Sequence, residues 1–343
     1  MKKLSLFNKL VFTANILFAL SLLFICLNSY LTTNILSPLY ILSLFVPILF
    51  LVNVFFCLYW ILKRKKHFFL SFLCLSIGYF AFGSFYKVNN VSGKIELNDA
   101  LKVISYNSQS FNIYEHVEGK DIGNEIVSFV CSENAEVVCF QEVSYAYLKK
   151  FEKYPYQCRS SKSGSGKSKL AILSKYPIIR NASISFPNTG NDAVYADIVY
   201  KNDTIRIYNL HLQSYKIVPS SKTFSEKESE RNIRKMVNTF DKQLEQAKIF
   251  KEHRASSPYK TLVCGDFNNT QFSNIYRIVR GDYQDSYIEE GKGFGRTYDL
   301  KGLPMRIDYI MADESFEILD HQNYDVKLSD HYPIKATLRL KEN

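Results

Sequence analysis

The first 95 residues of this 343-residue chain contain no aspartate and no glutamate. The first 90 carry 8 of the 43 lysines and arginines, which leaves 35 basic and 33 acidic residues in the rest of the chain. The N-terminal region therefore supplies +8 of the formal net charge of +10. Because the remainder is nearly neutral, the overall basicity does not indicate a nucleic-acid-binding surface on it.

Charge of either sign is also absent between Leu10 and Leu62, where a polar patch at 28–38 divides the apolar run. Each half approaches the roughly 20 apolar residues that cross a bilayer. A third uncharged stretch follows the basic cluster 63–66. We predict a membrane region of residues 1–87 with three transmembrane helices, at about 10–29, 39–62 and 67–86.

The distribution of lysine predicts the orientation of these helices. Lys2, Lys3 and Lys9 precede the first helix, the cluster 63–66 follows the second, and the loop between the two helices lacks charge. Because basic flanks stay in the cytoplasm, three spans place everything after Tyr86 outside it, and this is the topology that we expect. If the third segment lies flat at the membrane interface, the same part stays in the cytoplasm.

Two sequence patterns that would indicate a function are incomplete: the cysteine spacing of a metal site and the glycines of a phosphate-binding loop. No cysteines occur at metal-binding spacing, which excludes the common zinc modules. A phosphate-binding P-loop needs glycine five positions before Gly166, and Ser161 stands there. We therefore interpret the sequence SGSGKSK at 163–169 as a surface loop.

Beyond a polar linker at 88–99, residues 100–343 alternate strands with a few helices. Apolar spacing predicts a helix near 122–130 and a hairpin at 193–213. A long amphipathic helix is predicted from about 225 to 253, either as a solvated face over a core or as a lid or membrane-facing element. Many strands with adjacent hairpins indicate a four-layered α/β sandwich, two packed mixed β-sheets flanked by helices.

Short polar signatures end or interrupt six apolar segments of this region. They are Ser105-Tyr106-Asn107, Gln141-Glu142, Asn209-Leu210-His211, Gly265-Asp266-Phe267-Asn268, Arg306-Ile307-Asp308-Tyr309 and Ser329-Asp330-His331. Such groups resist burial unless they are paired or bound to a metal. Their convergence at one sheet edge would form a metal-assisted hydrolytic site.

The oxygen-bearing members of this set suit a magnesium ion. Hydrolysis of a phosphate ester requires neutralisation of charge on the phosphoryl oxygens, and Mg²⁺ does this with oxygen ligands and several waters. Glu142 is our first choice as ligand, with Asn107 and Asp330 beside it.

Two histidines are placed for proton transfer near neutral pH. His211 and His331 are the only ones of the six histidines that lie in these strand-end signatures. Asp308 can orient a histidine, because a carboxylate partner fixes the imidazole tautomer and raises its basicity.

The signatures VISYN, FQEV, NLHLQS, GDFNNT, RIDYI and SDHYPI, in this order, resemble the endonuclease/exonuclease/phosphatase (DNase I-like) superfamily over roughly residues 101–341. With the apolar leader, the chain is most similar to membrane-anchored bacterial members. The resemblance implies a catalytic domain at 100–343 and a multi-pass protein of the bacterial inner membrane.

The resemblance also implies roles for individual residues. Glu142 would be the principal Mg²⁺ ligand, with Asn107 and Asp330 completing the metal side and Mn²⁺ as a substitute ion. Asp266 would position or deprotonate the attacking water, and Asn268 would hold a phosphate oxygen.

The remaining family positions concern proton transfer. His331, paired with Asp308, would act as base or transition-state stabiliser. His211 would protonate the leaving oxygen.

Three functions stay open at this point. The first is a phosphodiesterase or phosphatase, tethered to the bilayer, that acts on lipid head groups or other extracytoplasmic phosphoesters such as inositol phosphates. The second is a DNase I-like nuclease, although residues 91–343 show no basic stripe with interleaved aromatics. The third is an inactive binding domain, against which the complete set of signatures argues. No sequence feature indicates a protein partner.

Overall fold

The computed structural model describes residues 4–30, 40–83, 86–88, 99–115, 117–160, 169–215, 226–300 and 302–341. The chain divides into two compact units. We call Met1–Phe85, Ile217–Asp241 and Thr270–Arg277 the membrane unit, and Tyr86–Lys216, Lys242–Asn269 and Ile278–Asn343 the sandwich unit. Most of the predicted linker, residues 89–98, lies outside the described residues.

The membrane unit contains three apolar helices, α1 (Leu6–Asn28), α2 (Val46–Leu62) and α3 (Phe68–Phe82). A 3₁₀ turn extends α2 back to Ile41, so α1 with 23 residues and Ile41–Leu62 with 22 are long and apolar enough to cross a membrane. Helix α3 has 15 residues and ends at Gly83, where φ is +78°. At 1.5 Å per residue it spans about 22 Å, less than the roughly 30 Å hydrocarbon core. The prediction of a third helix of spanning length, at 67–86, was therefore wrong.

One asparagine ties the three helices together. Asn15 of α1 donates to Ser71 Oγ of α3 at 2.6 Å and accepts from Trp60 Nε1 of α2 at 3.1 Å. All three side chains are fully buried. A buried amide is tolerated only when it is hydrogen-bonded, and this one is bonded at both its oxygen and its nitrogen.

Residues from later in the chain pack against one end of this bundle. The ring of Phe272 lies 5.3 Å from that of Phe82, at the end of α3, and Tyr40 lies 5.4 Å from Phe240. Arg277 Nη2 donates to the carbonyl of Ala81 at 2.5 Å. The membrane unit thus joins the N-terminal helices to two short segments of the region that was predicted to be globular.

The sandwich unit contains two six-stranded mixed sheets. The first has the order β13-β14-β1-β2-β4-β3 and the second β5-β6-β7-β8-β12-β9. The bounds are β1 Leu101–Asn107, β2 Val137–Gln141, β3 Tyr156–Arg159, β4 Ala171–Ser174, β5 Ile178–Ser185, β6 Asp192–Tyr200, β7 Asp203–His211, β8 Lys260–Asp266, β9 Gln284–Asp285, β12 Asp308–Ala312, β13 Phe316–Asn323 and β14 Ile334–Leu340. A separate ribbon is formed by β10 (Tyr298–Leu300) and β11 (Leu303–Met305).

Apolar faces explain the layering. Val103 and Val137 from the first sheet share a core with Ile207 from the second. Helix α4 (Ile122–Glu133) covers the other face of the first sheet, and the C-terminal half of α5 (Glu226–Ala255) covers the second. The remaining helices are α6 (Asn274–Arg280) and α7 (Ser286–Glu290). The predicted α/β fold with two mixed sheets is confirmed, as are the helix near 122–130, the hairpin at 193–213 and the long helix at 225–253.

Candidate active site

The polar signatures meet because of strand register. Strands β1 and β2 are parallel, and Asn107 lies opposite Gln141 at their ends. Strands β7 and β8 are also parallel, with His211 opposite Asp266. Parallel strands that end together present their last side chains at one edge of a sheet. Strand β12 pairs with β8 in the antiparallel direction, so its first residue, Asp308, lies opposite Asp266 at the same edge.

Asp266 lies at the centre of this edge and is almost fully buried. Asn107 Nδ2 donates to its Oδ2 at 3.0 Å, and the backbone N–H of Asn268 donates to its Oδ1 at 2.7 Å. The Nε2 atoms of His211 and His331 lie 3.6 and 3.8 Å from Oδ2. Burial, followed by the charge of Asp308, raises the pKa of Asp266 to about 6, against the lowering effect of the two histidines.

His331 and Asp308 form a buried pair. Nδ1 of His331 lies 3.0 Å from Oδ2 of Asp308, which leaves Nε2 facing Asp266. Burial disfavours the imidazolium, but Asp308 and Asp266 outweigh it and raise the pKa of His331 well above its ordinary value. Thr297 Oγ1 accepts hydrogen bonds from the backbone N–H groups of Ile307 and Asp308, at 3.0 and 3.1 Å, and so fixes the start of β12.

Glu142 and His211 complete one side of the cluster. His211 Nε2 lies 3.9 Å from Glu142 Oε1, and Glu142 is the more exposed of the two, at 19% against 2% for His211. Glu142 follows β2 in a left-handed conformation, with φ of +50°. This conformation is uncommon for a residue with a side chain, and here it ends the strand beside the site.

Asp330 lies apart from the buried cluster and is exposed. Its Oδ1 accepts a hydrogen bond from Ser329 Oγ at 3.2 Å, and the same hydroxyl is 2.8 Å from the carbonyl of Asn107. Asp330 therefore adjoins Asn107, one of the other predicted metal ligands. It also contributes to the raised pKa of His331.

The residues could hold a divalent cation. Asp266, Asp308 and His331 each offer a ligand atom within 4.8 Å of the others. Asp308 Oδ1 is buried and has no hydrogen-bond partner among the residues that the structure describes. Glu142 adds a partly exposed carboxylate. A donor set dominated by carboxylate oxygens fits Mg²⁺ or Mn²⁺ better than a soft metal.

Gly265 allows the close approach of β7 and β8 at the site. Its φ is +149°, and a Cβ atom there would lie 2.1 Å from the carbonyl oxygen of Leu210. Any other residue would force the strands apart between His211 and Asp266. The glycine is thus explained by backbone contact and not by chemistry.

A buried amide network connects Ser105, Gln141 and Asn209, which belong to the predicted signatures but had no predicted role. Gln141 Nε2 donates to Asn209 Oδ1 at 2.7 Å and to Ser105 Oγ at 3.2 Å. Asn209 Nδ2 donates to the carbonyls of Phe140 and Ala171, at 2.9 and 3.0 Å, and so joins the second sheet to the first. Gln141 precedes Glu142, and Asn209 precedes His211 by two positions, so the network sets the spacing of those two side chains. Its sequence signal was an amide inside each of two apolar strands.

Tyr298 is a second residue that sequence reasoning missed. Its ring lies 4.9 Å from the ring of His331, and the two residues form an antiparallel backbone bridge. Burial raises the pKa of Tyr298, with Asp330 and Asp266 acting in the same direction. The tyrosine is half-buried and covers His331. Its position could not be read from the sequence, since β10 has no apolar run that marks it.

Comparison with known proteins agrees with this geometry. Residues 104–331 match the sequence model of the Endonuclease/Exonuclease/phosphatase family. Residues 8–85 match a model described as a domain of unknown function, DUF8431. No curated protein matches the chain.

Several solved structures share the fold. Humanized D. rerio TDP2 is 15% identical, and the match spans 71% of this chain and 100% of that protein, with a TM-score of 0.53. An endonuclease/exonuclease/phosphatase from Beutenbergia cavernae is 15% identical, and the match spans 70% of this chain and 72% of that protein, with a TM-score of 0.54. The Bacteroides thetaiotaomicron mannosyl-6-phosphatase is 19% identical, and the match spans 69% of this chain and 99% of that protein, with a TM-score of 0.50. At these identities the likeness concerns the fold alone.

Proposed function

The chain belongs to the endonuclease/exonuclease/phosphatase family, and we propose from this premise that it is a membrane-anchored phosphoesterase with an extracytoplasmic site. Members of the family are metal-dependent hydrolases of phosphate esters, and this enzyme class applies to the chain. The convergence of Asn107, Asn268, His211 and His331 on Asp266 carries the proposal.

We assign water activation to Asp266. Hydrogen bonds from Asn107 and Asn268 fix both of its carboxylate oxygens, so its orientation is set before substrate binds. A fixed carboxylate can hold a water and accept its proton as the phosphorus is attacked. Asn268 also donates from Nδ2 to the carbonyl of Leu212 at 3.0 Å, which places its amide beside the site to contact a phosphate oxygen.

The two histidines receive different roles because their partners differ. His331 is held by Asp308 and retains its proton readily, so it stabilises the negative charge that grows on the phosphoryl oxygens. His211 lies between Glu142 and Asp266, and it donates a proton to the leaving oxygen.

We propose that Glu142, Asn107 and Asp330 hold the metal, with the atoms of Asp266, Asp308 and His331 as a second candidate set. When bound, the ion neutralises charge on the phosphoryl oxygens. Titration of Mg²⁺ and Mn²⁺ against Glu142→Gln and Asp308→Asn distinguishes the two sets, because only the variant that removes a ligand weakens metal binding.

Packing of the membrane helices supports an extracytoplasmic site. Near the start of α1, Phe12 lies 4.2 Å from His67, which directly precedes α3. At the other end, Arg277 contacts both Tyr30, just after α1, and Ala81 near the end of α3. Helices α1 and α3 therefore run in the same direction in the bundle. Because α3 has only 15 residues, an extracytoplasmic site also requires the bilayer to thin around it.

This direction supports an extracytoplasmic position for the segment that follows α3. Basic cluster 63–66 precedes α3 and belongs on the cytoplasmic side. Arg277, which donates to the carbonyl of Ala81 near the end of α3, then lies at the outer end of the bundle. A cysteine placed in the linker 88–99 should react with a membrane-impermeant thiol reagent in intact cells. Protection of that cysteine would place the site in the cytoplasm.

We further propose lipid head groups or other extracytoplasmic phosphoesters as substrates. The membrane anchor and the nearly neutral remainder of the chain support this choice over nucleic acid. The test uses the full chain in nanodiscs with Mg²⁺, offered phospholipid vesicles, sugar phosphates, plasmid DNA and bis(p-nitrophenyl) phosphate. Asp266→Asn serves as the inactive variant and the exposed Asp282→Asn as its matched control. Cleavage of DNA alone would make the protein a nuclease and refute the proposal.

A further inference from the structure

Two basic side chains lie close to the ring of Tyr145, outside the Asp266 cluster. The guanidinium carbon of Arg159 lies 5.5 Å from the centre of the Tyr145 ring, and Lys169 Nζ lies 5.2 Å from it. Both distances fall within the range of cation–π attraction. The two positive charges are therefore held no more than about 11 Å apart.

The ring of Tyr145 is fixed in place. Its hydroxyl lies 3.0 Å from Ser160 Oγ and also contacts the carbonyls of Ser160 and Leu170, at 3.2 and 3.3 Å. Ser160 follows β3 and Leu170 precedes β4, so Tyr145 joins the ends of two neighbouring strands. Both cations thus rest on a half-buried aromatic ring with restricted motion.

This pair of cations adjoins the candidate active site. Tyr145 follows Glu142 by three positions, and the backbone N–H of Val143 donates to the carbonyl of Lys169 at 2.9 Å. Lys169 is therefore hydrogen-bonded to the residue directly after a proposed metal ligand. An anion held by this pair would lie on the Glu142 side of the scissile phosphate.

Neither cation has an acidic counter-ion in the described part of the chain. Arg159 donates to Gln157 Oε1 at 3.1 Å, and neither Arg159 nor Lys169 forms an ion pair with a described carboxylate. The sequence 159–169 contains four basic residues and no acidic one. Both positive charges are therefore accessible to an anionic ligand, and their proximity favours one that carries more than one negative charge.

We propose that Arg159 and Lys169 form a subsite for a second phosphate group of the substrate, beside the phosphate that is hydrolysed. A guanidinium and an ammonium group make short, charge-assisted hydrogen bonds to phosphate. The inference rests on the proposed function for the scissile phosphate, and it narrows the substrate to molecules with two phosphates. Such a molecule is either a soluble bisphosphate or a lipid with a two-phosphate head group.

The test measures equilibrium binding by calorimetry on the full-length Asp266→Asn variant in nanodiscs with Mg²⁺, so that the ligands are not hydrolysed during the measurement. Fructose 1,6-bisphosphate is compared with fructose 6-phosphate, and vesicles of cardiolipin with vesicles of phosphatidylglycerol. We expect the two-phosphate member of at least one pair to bind about tenfold more tightly or better, as two charge-assisted hydrogen bonds allow. The pair that shows the preference identifies the soluble or the lipid source.

The variant Arg159→Gln/Lys169→Gln should reduce this preference to about one while leaving the affinity for the one-phosphate ligand unchanged. Lys149→Gln/Lys153→Gln removes the same charge elsewhere in the sandwich unit and should keep the preference. An unchanged preference in the first variant, or an equal loss in both, overturns the subsite. Weakening of both ligands together with a lower Tm assigns the cations to folding, for example as neutralisers of buried Asp192, and also overturns it.

Two further outcomes separate this inference from the proposed function. Phosphate release is followed in parallel on the full chain with Asp266 intact, so a binding preference without any release refutes the proposed function and keeps the subsite. A preference that appears only for an oligonucleotide over a mononucleotide overturns the subsite in favour of a polynucleotide groove.

Discussion

The membrane unit and the sandwich unit bury different kinds of polar side chain. Among the described residues of the membrane unit, every buried polar side chain is an asparagine, a serine or a threonine. The sandwich unit also buries aspartates, arginines and histidines. A neutral amide such as Asn15 is satisfied by two hydrogen bonds, whereas a buried charge requires an opposite charge, a proton or a metal.

Within the sandwich unit, the buried charges fall into two classes. Arg206 and Asp197 form a bidentate pair at 2.6 and 2.8 Å, in which each charge is balanced. The pKa of Asp266 is instead raised, first by burial and then by the charge of Asp308, and the two histidines offset this only in part. A like-charge contact at a sheet edge that is only partly offset indicates a site of chemistry, whereas a balanced pair indicates a structural contact.

The largest expected effect, on kcat, comes from removing the charge of Asp266. Asp266→Asn should lower kcat on bis(p-nitrophenyl) phosphate about a thousandfold, within the range for loss of a general base. Because the substitution also relieves a like-charge contact, Tm should stay constant or rise. Kinetics and thermal melts of the variant and of Asp282→Asn check both parts. Activity within tenfold of the wild type would contradict the assignment.

Breaking the balanced pair should affect stability and not chemistry. Arg206→Met leaves Asp197 buried without a partner, so the free energy of unfolding should fall by about 3–5 kcal/mol. Combining it with Asp197→Leu should restore most of that loss. Urea unfolding followed by circular dichroism measures both variants. If the double variant is no more stable than the single one, the two charges are not an isolated pair.

A buried histidine should make the sandwich unit sensitive to acid. Burial lowers the pKa of His321 to about 4, so the folded chain keeps this imidazole neutral where the unfolded chain, with a pKa near 6.5, binds a proton. Its contribution is fully present above pH 6.5 and is lost as the pH falls towards 4, by up to about 3 kcal/mol. His321→Gln should flatten the fall in unfolding free energy across this window. An unchanged slope would assign the acid sensitivity to other groups.

The smallest effect is expected in the membrane unit. Asn15→Leu removes the hydrogen bonds to Ser71 and Trp60, and such bonds between membrane helices contribute about 1 kcal/mol. Unfolding in detergent mixtures should show a loss of this size with kcat unchanged. A loss of 3 kcal/mol or more would remove the distinction between the two units.

The differences between prediction and structure have identifiable physical causes. Apolar run length predicted α1 and the helix ending at Leu62, but a left-handed glycine ends α3 early. The sequence grouped Glu142 with Asn107 and Asp330 as metal ligands. The antiparallel register of β12 on β8 brings a further set together, because it puts Asp308 opposite Asp266 and within ligand distance of His331. Such register depends on turns and packing that no single strand encodes.

The sequence by itself determined the apolar helices, the alternation of strands and helices, and the short list of residues able to do chemistry, because hydropathy and residue type are local properties. Only the tertiary structure decided which of those residues touch, that Gln141 and Asn209 join the two sheets behind them, and that Tyr298 covers His331. These contacts link residues far apart in the chain. Their geometry follows from the packing of two sheets and not from any one segment.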